Sequence, residues 1–176
     1  EYRFTISQPQ LLEYLKEDAP TVYSDIKELV KQGRIDIEGA MWVEPDCNLP
    51  SGESLVRQII AGKKFIKDEF GTDSKILWLP DVFGYSAAIP QILKKSGINK
   101  FVTSKIGWNE FNQIPYDLFK WVGVDGTEIS THFMTCCDKN WDNLRATSYC
   151  GEITPAYMLG TWERQQQKEY TDEVFM

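Results

Sequence analysis

The chain has 176 residues, 42% of them hydrophobic and 13% aromatic, enough apolar material for a packed core and too much for a disordered tail. Nineteen Lys and Arg against 26 Asp and Glu leave a net charge of -7, which disfavours broad binding to nucleic acid phosphates. No apolar run approaches the roughly 20 residues that span a bilayer, and the opening Glu-Tyr-Arg-Phe-Thr lacks the pattern of a signal peptide, so neither nucleic acid nor a membrane is an expected partner.

Residues 2–6 read as a strand. Leu11, Leu12 and Leu15, then Val22, Ile26, Leu29 and Val30, recur at helical spacing, with Gly33 as a stop. Ile35 and Ile37 open a second strand. Ser51 stands as an N-cap before Leu55, Ile59, Ile60 and Phe65, which predicts an amphipathic helix running to about Phe70. Residues 75–79 are nearly all apolar, as a buried parallel strand is. A helix over 87–95 ends at Gly97, and residues 100–103 form a fourth strand. Within 118–133 two alternating runs flank Asp125-Gly126, a hairpin signal. Thr154-Pro155 then opens a helix through Gln167, and residues 170–176 head toward another strand. The alternation predicts parallel β-α units and one domain over 1–176, with both ends cut from something larger.

Cys47, Cys136, Cys137 and Cys150 show no Cys-x-x-Cys spacing, which argues against a zinc ribbon or a thioredoxin-type motif and fits reduced thiols in a cytoplasm. His132 is the only histidine, so the ligands of any metal site must be mostly carboxylates or lie elsewhere.

In α/β folds reactive side chains sit just beyond the carboxyl ends of parallel strands, which selects residues 39–46, 80–86 and 103–109. Asp81 directly follows a buried strand and is flanked by Trp78, Phe83 and Tyr85, aromatic walls suited to a sugar ring. By local pattern it fits a helix cap equally well. Lys105 reads as a solvated charge or a functional one. Trp42 and Trp108 read as core or as sugar platforms. Asp46 and Asn48 fall in a stretch whose composition predicts a turn. His132 reads as a hydrogen-bonded structural group or a ligand, and the adjacent Cys136 and Cys137 point to opposite faces of an extended segment.

Longer stretches carry a family resemblance. Ser7-Gln-Pro-Gln10, the run from Trp42-Val-Glu-Pro-Asp46 to Gln58, Trp78-Leu-Pro-Asp-Val-Phe-Gly-Tyr-Ser86, Ile89-Pro-Gln-Ile92 and Phe101-Val-Thr-Ser-Lys-Ile-Gly-Trp-Asn109 resemble the catalytic domain of glycoside hydrolase family 38 α-mannosidases, in their cytosolic and bacterial branch. The resemblance implies part of a seven-stranded parallel β/α barrel-like domain, with the hairpin near 118–133. It implies a retaining, metal-dependent α-mannosidase that hydrolyses terminal α-mannosides of glycans or oligosaccharides. Asp81 falls at the nucleophile position, which is also a metal position, and Lys105, Trp42 and Tyr85 fall among substrate-binding positions. One divalent metal, usually zinc, is implied, with its site incomplete in this chain. A His-x-Asp metal motif is expected before residue 1, and a metal-binding His and the general acid beyond residue 176. The piece alone is therefore expected to be inactive, and homo-oligomeric assembly of the parent is left open. Two other functions remain. A related metal-dependent carbohydrate hydrolase such as a deacetylase would use metal-bound water and form no adduct at Asp81; a carbohydrate-binding or interaction module would bind without turnover.

Overall fold

A computed structural model describes residues 2–107, 111–112, 114–134, 146–147 and 151–165. Trp108, Asn109, Cys136, Cys137, Cys150 and the expected terminal strand at 170–176 lie outside the described residues. Strand β1 (Phe4–Ile6) leads to helices α1 (Pro9–Asp18) and α2 (Pro20–Lys31), then β2 (Ile35–Ile37). Helix α3 (Gly52–Phe70), β3 (Ile76–Trp78), α4 (Ile89–Lys95) and β4 (Lys100–Thr103) follow, then β5 (Leu118–Val122), β6 (Glu128–Phe133) and α5 (Pro155–Arg164).

Local chemistry sets most boundaries. The helical spacing across 11–30 is divided into two helices because Pro20, which has no N–H to donate, starts a new first turn after Ala19, whose φ of -141° and ψ of 63° leave the helical region. On α3 the Ser51 hydroxyl accepts from Ser54 N–H at 3.2 Å, and Gly71, at φ 71°, closes the far end in the left-handed conformation. Thr154 caps α5 in the same way through Tyr157 N–H, with Pro155 at its start. The hairpin turns where expected: Asp125 accepts from Thr127 N–H at 3.0 Å, and Gly126 sits at φ 82°.

The fold is mixed α/β. Strands β1 and β2 pair in parallel, with Ile6 opposite Ile37. A second sheet has the order β3-β4-β6-β5, parallel from β3 to β6 and antiparallel at the β5–β6 hairpin. Helix α3 serves both sheets. Its Leu55 and Ile59 join Leu77, Leu93, Phe101 and Ile129 in one core, while its Phe65 and Ile66 pack with Leu12, Tyr23 and Ile37 in another.

The end of β2 is stitched to the start of β3. Gly39 N–H donates to Ile76 O at 3.2 Å. The neighbouring Glu38 carboxylate accepts from Ser74 Oγ at 2.6 Å and from the Lys75 and Ile76 N–H groups at 3.1 and 3.3 Å. Three donors thus converge on one oxygen, and one of them belongs to the buried Ser74. Replacing Glu38 by Ala removes that acceptor from all three, leaving Ser74 Oγ only its longer bond to Ile76 O at 3.3 Å, and the expected loss is about 2 to 3 kcal/mol. Thermal unfolding of the intact protein should show Glu38→Ala melting well below wild type and Glu38→Gln, which keeps one acceptor oxygen, between the two.

Candidate functional site

The chain leaves β1, β2, β3 and β4 into loops that meet one another. After β3, Leu79 N–H still bonds to Val102 O at 3.0 Å, so the strand edge carries on to the residue before Pro80. Asp81 then turns outward and is more than half exposed. After β4, Ser104 Oγ donates to Pro80 O at 2.5 Å, which ties the two exits together. The following turn of 3-10 helix, Lys105–Gly107, delivers the Lys105 ammonium to Asp81 Oδ1 at 2.8 Å. The Lys105 side chain is only 5% exposed. A cation taken that far from water must be paired or it neutralises, so Asp81 is anchored by a charge that has itself left solvent. The ammonium also lies 5.1 Å from the centre of the exposed Phe83 ring.

Tyr85 supports this loop from below. Its hydroxyl donates to Leu79 O at 2.8 Å and lies 2.5 Å from Thr103 Oγ1, with Thr103 fully buried. Its ring meets Phe101 edge-on, and burial pushes the phenol up from its usual range. Ser86 N–H donates to Cys47 O at 3.2 Å, joining the β3 exit to the long loop after β2. Gly84, at φ 130°, lies so close to the Asn48 amide that a Cβ there would collide with it.

The loop after β2 is built as tightly. Gly39, at φ 122°, passes against Ser7 O, and Ala40 takes the left-handed conformation at φ 63°. Gly62 of α3 lets the helix backbone lie directly on Ala40 and Met41. Trp42 Nε1 donates to Gln10 Oε1 at 2.7 Å while its ring stands edge-on to Phe65. Asp46 makes the turn that its composition predicts, accepting from Asn48 and Leu49 N–H at 2.8 and 2.7 Å. Those two bonds hold its carboxyl below the usual range. Between Trp42 and Asp46 stands Glu44, whose Oε1 accepts from Ser7 Oγ at 2.8 Å. Burial raises its carboxyl above the ordinary range and the Asp81 charge raises it further, against the Ser7 bond.

The structure therefore joins Asp81 to Lys105, sets Tyr85 beneath them, and brings Glu44 and Ser7 to the site from the exits of β2 and β1. Trp42 and Tyr85 both have their polar ends engaged by protein, so only ring surface is left for a ligand. His132, on β6 in register with Val102 and through it with Trp78, is half buried, and burial lowers its imidazole from the usual value. Glu44 was not singled out by sequence reasoning. The available signal was a carboxylate seven residues past the end of β2 in a strand-exit loop, and the neighbouring turn composition obscured it. Among the described residues no three His, Cys, Asp or Glu side chains stand together to hold a metal ion, and the Asp81 carboxylate faces an ammonium. These donors alone do not fit a metal centre.

The whole chain, residues 1–176, matches the model of the glycosyl hydrolases family 38 N-terminal domain. Over 133 residues it is 45% identical to alpha-mannosidase G of Dictyostelium discoideum and 46% identical to alpha-mannosidase 2C1 of Homo sapiens, each alignment taking in 76% of this chain. The chain spans only 12% and 13% of the lengths of those relatives. In fold it is similar to an alpha-mannosidase from Enterococcus faecalis, with a TM-score of 0.61 and 22% identity over 74% of this chain and 15% of that one.

The Tyr85 hydroxyl gives a check on the geometry that is independent of activity. Tyr85→Phe removes the short bond to the buried Thr103 hydroxyl, which keeps only the Lys105 N–H at 3.3 Å, together with the bond to Leu79 O, and should cost about 1 to 2 kcal/mol. Denaturant unfolding of the intact protein measures it, and an unchanged midpoint would mean that Tyr85 does not brace the Asp81 loop as described.

Proposed function

The chain belongs to the family 38 glycosyl hydrolases through their N-terminal domain, and from that premise we propose that the whole protein is a retaining α-mannosidase in which Asp81 is the nucleophile. One observation carries the assignment: an exposed carboxylate at a parallel-strand exit is held at 2.8 Å by a buried ammonium. A helix cap would need no such partner.

In the proposed reaction the carboxylate attacks the anomeric carbon of a terminal α-mannoside. A glycosyl-enzyme ester forms as the aglycone oxygen leaves, protonated by a second carboxyl group about 5 to 5.5 Å away. Water then hydrolyses the ester with that second group acting as base. The acid and base is proposed to come from sequence outside residues 1–176. Lys105 does two things for Asp81. Its charge favours the ionised, nucleophilic form, and its short reach fixes which oxygen is presented outward. Phe83, exposed beside the pair, together with ring surface of Trp42 and Tyr85, is proposed to line the sugar site.

Asp81 is also proposed as the one ligand this chain brings to a divalent ion, zinc by the family resemblance, whose chemistry would be to orient sugar hydroxyls. The parallel β1–β2 and β3–β4–β6 pairings support placing the chain in a seven-stranded β/α barrel-like catalytic domain. Terminal α-mannosides of glycans or oligosaccharides are the proposed substrates. The cytoplasm is the proposed compartment, in keeping with the buried free thiol of Cys47, which burial pushes up to about 12.

Kinetics of the intact enzyme on an aryl α-mannoside test this reading. Asp81→Asn keeps shape and capping ability but removes the nucleophile, and kcat should fall on the order of a thousandfold or more. Lys105→Met leaves Asp81 without its ammonium and should lower kcat about ten- to a hundredfold. Near-normal turnover by Asp81→Asn would return Asp81 to the role of a helix cap.

A further inference from the structure

Glu44 has the surroundings of a ligand-binding carboxylate rather than of a structural one. The backbone just before it is held by α1 and α3: Trp42 N–H donates to Gln58 O at 3.1 Å, Val43 N–H to Gln58 Oε1 at 3.1 Å, and Gln10 N–H to Trp42 O at 3.1 Å. Its side chain is half buried, and Ser7 at the exit of β1 holds Oε1. Among the described residues Glu44 takes no ion-pair partner, and Oε2 accepts no hydrogen bond yet is not sealed from solvent. The cation nearest in purpose, Lys105, is committed to Asp81. A fold that needed only a latch between β1 and β2 would gain as much from a neutral side chain, without the cost of desolvating a carboxylate.

We propose that Glu44 is a substrate-binding residue of the Asp81 site, with Ser7 holding Oε1 so that Oε2 accepts a hydrogen bond from a hydroxyl of the bound mannose. The proposal rests on the mannosidase reading above. Glu44 stands on a loop held by Gln58 and Gln10, so the bond selects for where a sugar places its hydroxyl. The contact exists in the ground state and the transition state alike, so its loss appears mainly in KM.

The test uses the intact enzyme and 4-nitrophenyl α-D-mannoside. Glu44→Gln replaces a charged acceptor by a neutral one and should lower kcat/KM about tenfold, chiefly through KM, with kcat within about threefold of wild type. Ser7→Ala, which releases the tether, should shift the same parameter less. The Glu44→Gln loss should disappear on one of the 2-, 3-, 4- or 6-deoxy substrates and persist on the other three. It should also be equal for 4-nitrophenyl and 2,4-dinitrophenyl mannosides. Unchanged kcat/KM in Glu44→Gln, or an equal loss on all four deoxy substrates, overturns the proposal. A loss confined to the poorer leaving group overturns it too, because that is the mark of a proton donor. If Glu44→Gln does not fold, a wild-type KM in a folded Ser7→Ala decides against it. A wild-type enzyme that leaves the aryl mannoside intact would overturn the mannosidase reading itself, whereas the other outcomes strike only Glu44.

Discussion

The site depends on a lysine ammonium that has been taken out of water. Lys105 reaches its place only because the β4 exit folds back at once into a turn of 3-10 helix, and Ser104 ties that turn to Pro80 at the neighbouring exit. With its side chain 5% exposed, the charge needs a partner, and Asp81 is the carboxylate within reach at 2.8 Å. The pair has a stability role and a chemical one. It keeps the ammonium in a place that would otherwise reject it, and it presents a fixed anion at the mouth of a parallel sheet.

Other features serve to keep that exit from moving. Tyr85 braces the loop against Leu79 and Thr103, Gly84 admits the Asn48 amide, and Ser86 hangs from Cys47 O. The loop after β2 is held in turn by Gln58 and Gln10, and by the close seat that Gly62 gives it on α3. Further down, Glu38 and Gly39 join the two sheets whose exits supply Ser7, Glu44, Asp81 and Lys105. The left-handed Ala40 is the one non-glycine residue of positive φ among the described residues, and it lies in this framework, where local strain is common next to functional groups.

Much of this was legible in the sequence, for identifiable reasons. The α3 cap at Ser51, the hairpin at Asp125-Gly126, the Thr154-Pro155 helix start and the buried strand before Asp81 are all set by local chemistry, and each is where its pattern predicts. Pro20 carried the signal that splits the first helical stretch, but apolar spacing on both sides of it matches one continuous helix equally well. Asp81 was found because its position after an apolar strand is a sequence feature. The reach of Lys105 to Asp81 was not, since it depends on β3 and β4 being parallel neighbours with Trp78 opposite Val102. Glu44 was hidden for the same reason. Its partner Ser7 is 37 residues away, and only the pairing of β1 with β2 brings the two exits together.

The central claim is that Asp81 makes a covalent bond to the sugar. Incubating the intact enzyme with a fluorinated mannosyl fluoride that slows deglycosylation, then digesting with pepsin and sequencing the labelled peptide by mass spectrometry, tests it most directly. The account predicts a single mannosyl adduct on the Asp81 carboxylate, within the peptide that spans Trp78 to Ser86. An adduct on a different carboxylate, or inactivation with Asp81 unmodified, would contradict it.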